Sequence, residues 1–152
     1  MTVYRLTKAA YKEDLSGIGA KLYGSRWNSA GKPMLFTAQT ISLALLETLV
    51  HLDRMEIPPD YRLLHIKIPD SFSIAEISAS RLKLKWEEDF DYTRFIGTEF
   101  LSADKSAILK VPSALIPDEF NFLLNPLHKD FDKVTIVKST VFKFDNRLLS
   151  YK

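Results

Sequence analysis

The segment GIGAKLYGSRWNSAGKPMLFTAQTISLALLETLVH, residues 17–51, decides the fold and contains most of the candidate functional residues. Its glycines permit positive backbone φ angles and predict a loop that presents Arg26. The apolar run 34–38 predicts a buried strand, and residues 41–54 predict a helix. A loop, a strand and a helix in succession therefore bring an arginine and a carboxylate, Glu47, into one short stretch of chain.

The helix over residues 41–54 is the clearest in the sequence, with Thr40 as its N-cap. Its circumference is mostly apolar, so we expect deep burial. Glu47 and His51 lie four residues apart and share a face. Because an unpaired buried charge is costly, Glu47 pairs with His51 or Arg54, is protonated, or faces a cleft. His51 is either a satisfied histidine at the helix end or a group that orients Glu47.

Short, mixed segments make up the rest of the chain. Strands are predicted over residues 2–6, 61–68, 72–77, 107–111, 134–137 and 140–144, and a second helix over residues 92–103. The asparagines of NFLLNP, residues 121–126, are typical of a turn. Since there is no internal repeat and no regular βαβ alternation, we expect one α+β domain over residues 1–152.

Composition excludes several classes of function. The chain has 152 residues, of which 46% are hydrophobic and 26% are charged, as in a globular domain. It has no cysteine and three histidines, so we expect no disulfide, no thiolate nucleophile and no metal site. The net charge of +2, from scattered residues, argues against direct nucleic-acid binding. Without a membrane helix or a signal-peptide core, a cytoplasmic protein is expected.

Two further residues are candidates for chemistry. Arg26, in its glycine-flanked loop, can present a planar fork to a phosphate or a carboxylate, although an isolated arginine is more often a surface residue. Its neighbour Trp27 is better explained as a core or lid aromatic than as a ligand-stacking ring. Ser113 follows a predicted strand, where functional side chains are common. The sequence has no G-x-S-x-G elbow that would make this serine a hydrolase nucleophile.

Several short motifs occur in order along the chain. They are Gly17-Ile-Gly19-Ala20, Gly24-Ser-Arg26-Trp27-Asn28, Gly31-Lys-Pro33, Leu43-Ala44, Glu47, Leu49-Val50-His51, Val111-Pro-Ser113-Ala114 and Asn121 to His128. Together they resemble the RES domain, a family named for an arginine, a glutamate and a serine. Each motif alone is weak, but the whole series in order is specific to that family and extends over most of the chain.

The resemblance implies a fold and an activity. RES domains are similar to ADP-ribosyltransferases of the diphtheria-toxin type, with a mixed β core flanked by helices. They are typically toxins of type II toxin–antitoxin pairs that consume NAD⁺ by cleaving the nicotinamide–ribose bond, with water or phosphate as acceptor. NAD⁺ is then the substrate, and no cofactor is expected. The implied partner is an antitoxin with a helix-turn-helix part and a segment that covers the active site; a homodimer inside that complex is left open.

The resemblance also implies roles for individual residues. The catalytic residues would be Glu47, Arg26 and Ser113. Arg26 would bind the diphosphate or the adjacent ribose, Glu47 the ribose hydroxyls and the developing positive charge, and Ser113 the ribose or Glu47 itself. The substrate-binding set would be Arg26, Trp27, Phe36, Glu47, His51, Ser113 and Asn125. The family usually has tyrosine where this chain has Phe36, which keeps the ring but lacks the hydroxyl.

Three alternatives stay open at this point. The same site could transfer ADP-ribose to a protein acceptor. An RNase could use Glu47, His51 and Arg26 as acid, base and phosphate clamp, against which the near-neutral charge and the lack of a basic stripe argue. A binding module without activity is the third alternative, and the intact arginine, glutamate and serine argue against it.

Overall fold

The computed structural model describes residues 1–52 and 60–150, which form a seven-stranded sheet with three α-helices. The strands are β1 (Thr2–Lys8), β2 (Leu35–Ala38), β3 (Tyr61–Lys67), β4 (Ile74–Glu76), β5 (Ile108–Pro112), β6 (Phe120–Leu124) and β7 (Thr135–Phe142), and the helices are α1 (Ile18–Tyr23), α2 (Ile41–His51) and α3 (Phe90–Ala103). This architecture confirms the predicted α+β class. None of the helices described is long and apolar enough to cross a membrane.

The strands are arranged in the order β4-β5-β6-β2-β1-β3-β7. All neighbouring pairs are antiparallel except β4 and β5, which are parallel. A parallel pair needs a crossover connection, and here α3 lies in it. The sheet is therefore mixed, with β2 and β6 near its middle.

The two faces of the sheet have different coverings. Phe36, Leu123 and Leu109 lie opposite one another on β2, β6 and β5 and so share a face. They pack in one cluster with Ile96 of α3, while Leu45 of α2 packs farther along on residues of β1 and β3. We call this side the helix face. The other side of the sheet, which we call the opposite face, carries a separate apolar cluster. Its fully buried members include Val3, Leu35, Leu64, Ile66, Ile108 and Leu124.

Helix α2 begins as predicted and ends earlier. The Thr40 side chain accepts a hydrogen bond from the Leu43 backbone N–H, which confirms the N-cap. The helix ends at His51 because Leu52 is extended, with φ −71° and ψ 128°; the predicted end at Arg54 lies outside the described residues.

The expected deep burial of α2 is wrong. Its buried residues are Leu43, Ala44 and Leu49, whereas Leu46 and Val50 are exposed. The helix packs with one side against β1 and β2, and its apolar side chains Ile41, Leu46 and Val50 are exposed.

Two other predictions are corrected by the sheet. The two strands predicted over residues 134–137 and 140–144 are replaced by one continuous strand, β7 (Thr135–Phe142). The pairing of β3 with β7 shifts at His65, which is opposite Lys138, while Ile66 is opposite Ile136, so Val137 is an extra residue. Such a bulge interrupts the alternation of side chains, and the sequence then looks like two strands. Residues 120–124, predicted as part of a turn, form strand β6.

Candidate active site

A buried asparagine fixes the loop that presents Arg26. Asn28 is fully buried, and its side-chain amide donates hydrogen bonds of 2.8 Å to the carbonyl of Ala20 and 2.7 Å to that of Lys32. Its side-chain oxygen accepts one of 2.6 Å from the Ser25 hydroxyl. Because buried polar groups need partners, these bonds define one conformation of the loop.

Helix α3 supports the same loop from outside. The Thr93 hydroxyl donates to the backbone carbonyl of Arg26, and Arg94 Nε donates to that of Ser25 at 2.7 Å. A Cβ atom on Gly97 would lie 1.6 Å from the Trp27 carbonyl oxygen, so only glycine allows the helix to come this close. The position of Arg26 therefore depends on α3.

Trp27 is a core residue beside Arg26. It is only 2% exposed, and its ring lies 5.7 Å from that of Trp86. This arrangement matches the interpretation of Trp27 as a core aromatic and leaves little of its ring for stacking on a ligand.

The guanidinium of Arg26 is partly buried and keeps its positive charge. It donates to the Glu87 carbonyl, and its central carbon lies 4.4 Å from the centre of the Phe90 ring. Burial lowers the Arg26 pKa, while the charges of Glu47 and Glu87 oppose that change. Arginine nevertheless remains protonated at neutral pH. Among the described residues Arg26 has no carboxylate within ion-pair distance, so its charge is available to an anionic ligand.

Two donors hold the carboxylate of Glu47. Its Oε1 accepts a hydrogen bond of 2.6 Å from the Asn121 side-chain amide and one of 3.1 Å from the Ser113 hydroxyl. Its Oε2 has no partner within residues 1–52 and 60–150. The carboxylate is thus oriented through one oxygen and open at the other.

Ser113 acts here as a donor. Its Oγ accepts hydrogen bonds from the backbone N–H groups of Leu115, at 3.0 Å, and Ile116, at 3.2 Å. A serine hydroxyl has two lone pairs and one hydrogen, so the hydrogen remains for Glu47. Both lone pairs are engaged, which makes Ser113 a poor nucleophile and agrees with the missing elbow motif.

Asn121 is the residue that sequence reasoning missed. It lies in β6, opposite Val111 and Ala38, and its side chain is on the helix face. Its pairing with Glu47 joins residues 74 positions apart. The only local signal was a polar residue inside the apolar run FNFLL, a pattern that also suits a turn.

The other predicted site residues have different positions. Phe36 is half-buried on the helix face, diagonal to Asn121. His51 is exposed at the end of α2 and makes no hydrogen bond or ion pair with Glu47. Asn125 is buried in the turn after β6, where its amide donates to Asp104 at 3.0 Å and its oxygen accepts from the Leu127 N–H. The structure therefore brings Glu47, Ser113 and Asn121 into direct contact, with Arg26 close enough to influence the site electrostatically.

This arrangement suits one kind of chemistry. A fixed carboxylate with a free oxygen can accept a hydrogen bond from a sugar hydroxyl and stabilise positive charge at an anomeric carbon. A nearby arginine can bind a phosphate group of the same ligand. In the part of the chain that the structure describes, no three histidine, aspartate or glutamate side chains gather as a metal site.

Comparisons with known proteins agree with these observations. Residues 2–145 match the model of the RES domain. A protein named Toxin Res from Photorhabdus laumondii is 42% identical, over 100% of this chain and 99% of its own length. A Toxin Res from Yersinia enterocolitica is 39% identical, over 97% of this chain and 99% of its own length. A Prs ADP-ribosylating toxin from Sphingobium is 33% identical, over 90% of this chain and 88% of its own length.

A solved structure shows the same fold. The structure of the M. tuberculosis MbcT–MbcA toxin–antitoxin complex matches 99% of this chain and 87% of its own, with a TM-score of 0.77 and 18% sequence identity. At that identity the match supports the fold, while the family relationship is shown by the matches in sequence.

Proposed function

The chain belongs to the RES domain family, and from that premise we propose that it is the toxin of a toxin–antitoxin pair and that it cleaves NAD⁺ between nicotinamide and ribose. The observation that supports this activity most is the Glu47 carboxylate, oriented by Ser113 and Asn121 through one oxygen and open at the other. The names of the relatives support the toxin role, and one of them is named as an ADP-ribosylating toxin.

The free oxygen of Glu47 has a defined role in this proposal. As the bond between ribose C1′ and the pyridinium nitrogen breaks, nicotinamide leaves as a neutral molecule with the bonding electron pair. Positive charge then develops on C1′ and on the ring oxygen. Glu47 Oε2 accepts a hydrogen bond from a ribose hydroxyl and stabilises that charge, as carboxylates do in glycoside cleavage. Ser113 and Asn121 keep the carboxylate in place, so it need not reorient as the charge appears.

Arg26 binds the other part of the substrate in this proposal. The diphosphate of NAD⁺ is anionic, and the Arg26 guanidinium has N–H groups beyond the one bonded to Glu87. The guanidinium is held by the Glu87 carbonyl and the Phe90 ring, and the negative charge of Glu47 favours its protonated form. The substrate is thereby held at two points, the ribose and the diphosphate attached to it.

The acceptor determines the product. Water that attacks C1′ loses a proton to solvent and yields ADP-ribose, whereas inorganic phosphate yields ADP-ribose phosphate. NAD⁺ labelled in its adenosine half is therefore incubated with the wild type, with and without phosphate, and the labelled products are separated. We expect NAD⁺ to disappear and one of these two products to accumulate. Persistence of NAD⁺ in both buffers would contradict the proposed activity.

Arg26→Met and Arg81→Met are a matched pair for the same assay. Arg81 is exposed and makes no hydrogen bond with Glu47, so its variant controls for the loss of one positive charge. Arg26→Met should raise the KM for NAD⁺ about tenfold or more, because hydrogen bonds to charged groups are worth about 1.5–3 kcal/mol. Arg81→Met should behave as the wild type.

A protein acceptor is the second candidate. The relative named as a Prs ADP-ribosylating toxin favours it specifically. The same labelled NAD⁺, incubated with the enzyme and a cell extract, distinguishes the two reactions. Label on a protein band would support transfer to protein, and label found only in free ADP-ribose or its phosphate would support depletion of NAD⁺.

An antitoxin is the proposed partner. The solved structure of similar fold is that of a toxin–antitoxin complex. We propose that the antitoxin covers the site near Arg26 and that it has a helix-turn-helix part. Co-expression with the product of the neighbouring gene should yield a complex in which NAD⁺ cleavage is suppressed. Failure of the two proteins to co-purify, with the neighbour in excess, would contradict this partnership.

A further inference from the structure

We propose that the adenosine diphosphate half of the dinucleotide lies along the first turns of α3, with Arg94 as a second phosphate-binding cation beside Arg26. This inference rests on the proposed NAD⁺ substrate and adds where its far end binds. It concerns a residue outside the Glu47, Ser113 and Arg26 set.

Two arginines lie close to the same aromatic ring, that of Phe90. The guanidinium carbon of Arg26 lies 4.4 Å from the centre of the Phe90 ring, and that of Arg94 lies 5.5 Å from the same point. The ring of Phe90 is 42% exposed, so both cations border an accessible apolar surface. Phe90 and Arg94 are four residues apart on α3, about 6 Å along the helix axis, which is one turn.

Both guanidinium groups are positioned by a backbone carbonyl and left without a carboxylate. Arg26 donates to Glu87 and Arg94 Nε donates to Ser25, at 2.7 Å. Neither arginine forms an ion pair with any carboxylate of residues 1–52 and 60–150. Each keeps further N–H donors, because a guanidinium has five. Two fixed cations with unused donors match the two adjacent phosphates of a diphosphate.

A groove continues from Arg94 along α3. It has a volume of about 450 Å³, within the range of small-molecule sites. Its lining comes from the end of α1, the Arg26 loop and one face of α3: Tyr23, Gly24, Ser29, Ala30, Asp91, Arg94, Phe95 and Thr98. Tyr23 is 84% exposed and Phe95 is 65% exposed, so two unpartnered aromatic rings border it.

The chemistry of this groove favours a purine nucleoside as occupant. Nucleic-acid bases stack on aromatic side chains and on arginine, and Tyr23, Phe95 and Arg94 offer both. The Asp91 carboxylate can accept hydrogen bonds from an exocyclic amine or a ribose hydroxyl. Because Arg94 borders both the groove and the Phe90 ring, a ligand with its diphosphate between the arginines has its adenosine directed into the groove.

Binding of ADP tests this placement without catalysis. Calorimetry measures the binding of ADP and of nicotinamide mononucleotide to the Glu47→Gln protein. The same titrations are repeated with Glu47→Gln proteins that also carry Arg94→Gln or, as control, Arg81→Gln. Glutamine keeps a donor at the position of Nε for the Ser25 carbonyl and removes the positive charge together with the remaining N–H donors of the guanidinium. Arg94→Gln should weaken the binding of ADP about tenfold, which is the usual effect of losing a hydrogen bond to a charged group. It should weaken the binding of the mononucleotide less than twofold. Equal weakening of both ligands indicates that Arg94 only supports the loop, and unchanged ADP binding removes Arg94 from the site; either result overturns the inference.

Phe95→Ser tests the groove itself, and its exposed position makes misfolding no concern. The variant should weaken the binding of ADP about fivefold, because the base loses a stacking partner, and leave the binding of inorganic pyrophosphate unchanged. If Phe95→Ser leaves ADP binding unchanged but prevents capture of the antitoxin, the groove is a protein-docking surface and the inference is wrong.

The inference and the proposed function fail in different ways. If ADP binding depends on Arg94 and the wild type does not cleave NAD⁺, the nucleotide site stands and the proposed reaction falls. If NAD⁺ is cleaved and ADP binding is indifferent to Arg94, only the placement of the adenosine half falls.

Discussion

The polar side chains on the two faces of the sheet donate to different kinds of acceptor. On the opposite face, the Thr37 hydroxyl donates to the Phe122 carbonyl at 2.7 Å and Arg5 donates to the Phe36 carbonyl at 2.9 Å, so these groups bond to the sheet's own backbone. On the helix face, Asn121 donates to the side chain of Glu47. Polar groups bonded to the backbone support the fold, whereas donors collected on one carboxylate prepare a charged group for a ligand.

Removal of a buried leucine from the opposite face should have the largest effect, and it should act on stability alone. Leu124 is fully buried between Leu35 and Ile108. Leu124→Ala should lower the free energy of unfolding by about 2–5 kcal/mol, from lost burial and a cavity. Urea denaturation measures the loss, with the exposed Val141→Ala as control. A large fall in NAD⁺ cleavage per folded molecule would break the distinction between the faces.

Gly97→Ala should affect both stability and activity, because the added methyl group would push α3 away from the Trp27 backbone. The added methyl group would meet the Trp27 carbonyl, and overpacking of this kind costs about 1–3 kcal/mol. Gly19→Ala is the matched control, since a Cβ there meets nothing within 4 Å. Thermal unfolding and the KM for NAD⁺ should both change for Gly97→Ala alone. Wild-type values of KM would contradict the dependence of Arg26 on α3.

Ser113→Ala should lower the rate while Asn121 still holds the carboxylate. The variant loses one hydrogen bond to a charged group, worth about 1.5–3 kcal/mol, which corresponds to roughly tenfold or more in the rate at saturating NAD⁺. The exposed Ser42→Ala serves as control. An unchanged rate would show that Asn121 alone is sufficient to orient Glu47.

Phe36→Tyr should have the smallest effect. It restores a hydroxyl on a half-buried ring of the helix face. One neutral hydrogen bond to the substrate is worth about 0.5–1.5 kcal/mol, so we expect the rate to rise by no more than about tenfold. Initial rates at several NAD⁺ concentrations measure it. A strong loss of activity would mean that the phenylalanine is required as it is.

Local signals in the sequence predicted much of the site. Thr40 and the apolar run after it predicted the start of α2, and the position after a strand predicted Ser113. The motif series assigned the family, and the family indicated Glu47 and Arg26. These features can be recognised in the sequence itself, so they could be proposed without the structure.

Contacts distant in sequence could not be predicted. Asn121 meets Glu47 across 74 positions, and no property of FNFLL alone indicates that it becomes a strand in the middle of the sheet. The exposed side of α2 was mistaken for core because leucine content does not reveal how many neighbours a helix has. The bulge at Val137 depends on the partner strand, so the alternation of β7 was misleading.

The rate of NAD⁺ cleavage by Glu47→Gln, compared with Glu99→Gln, tests the role of the oriented carboxylate most directly. Both changes remove one negative charge, but Glu99 is exposed on α3. At saturating NAD⁺ we predict a loss of about 10²–10³-fold for Glu47→Gln, by analogy with the removal of one electrostatic stabiliser, and a wild-type rate for Glu99→Gln. A Glu47→Gln protein that folds normally and cleaves NAD⁺ as fast as Glu99→Gln would contradict the role assigned to the carboxylate.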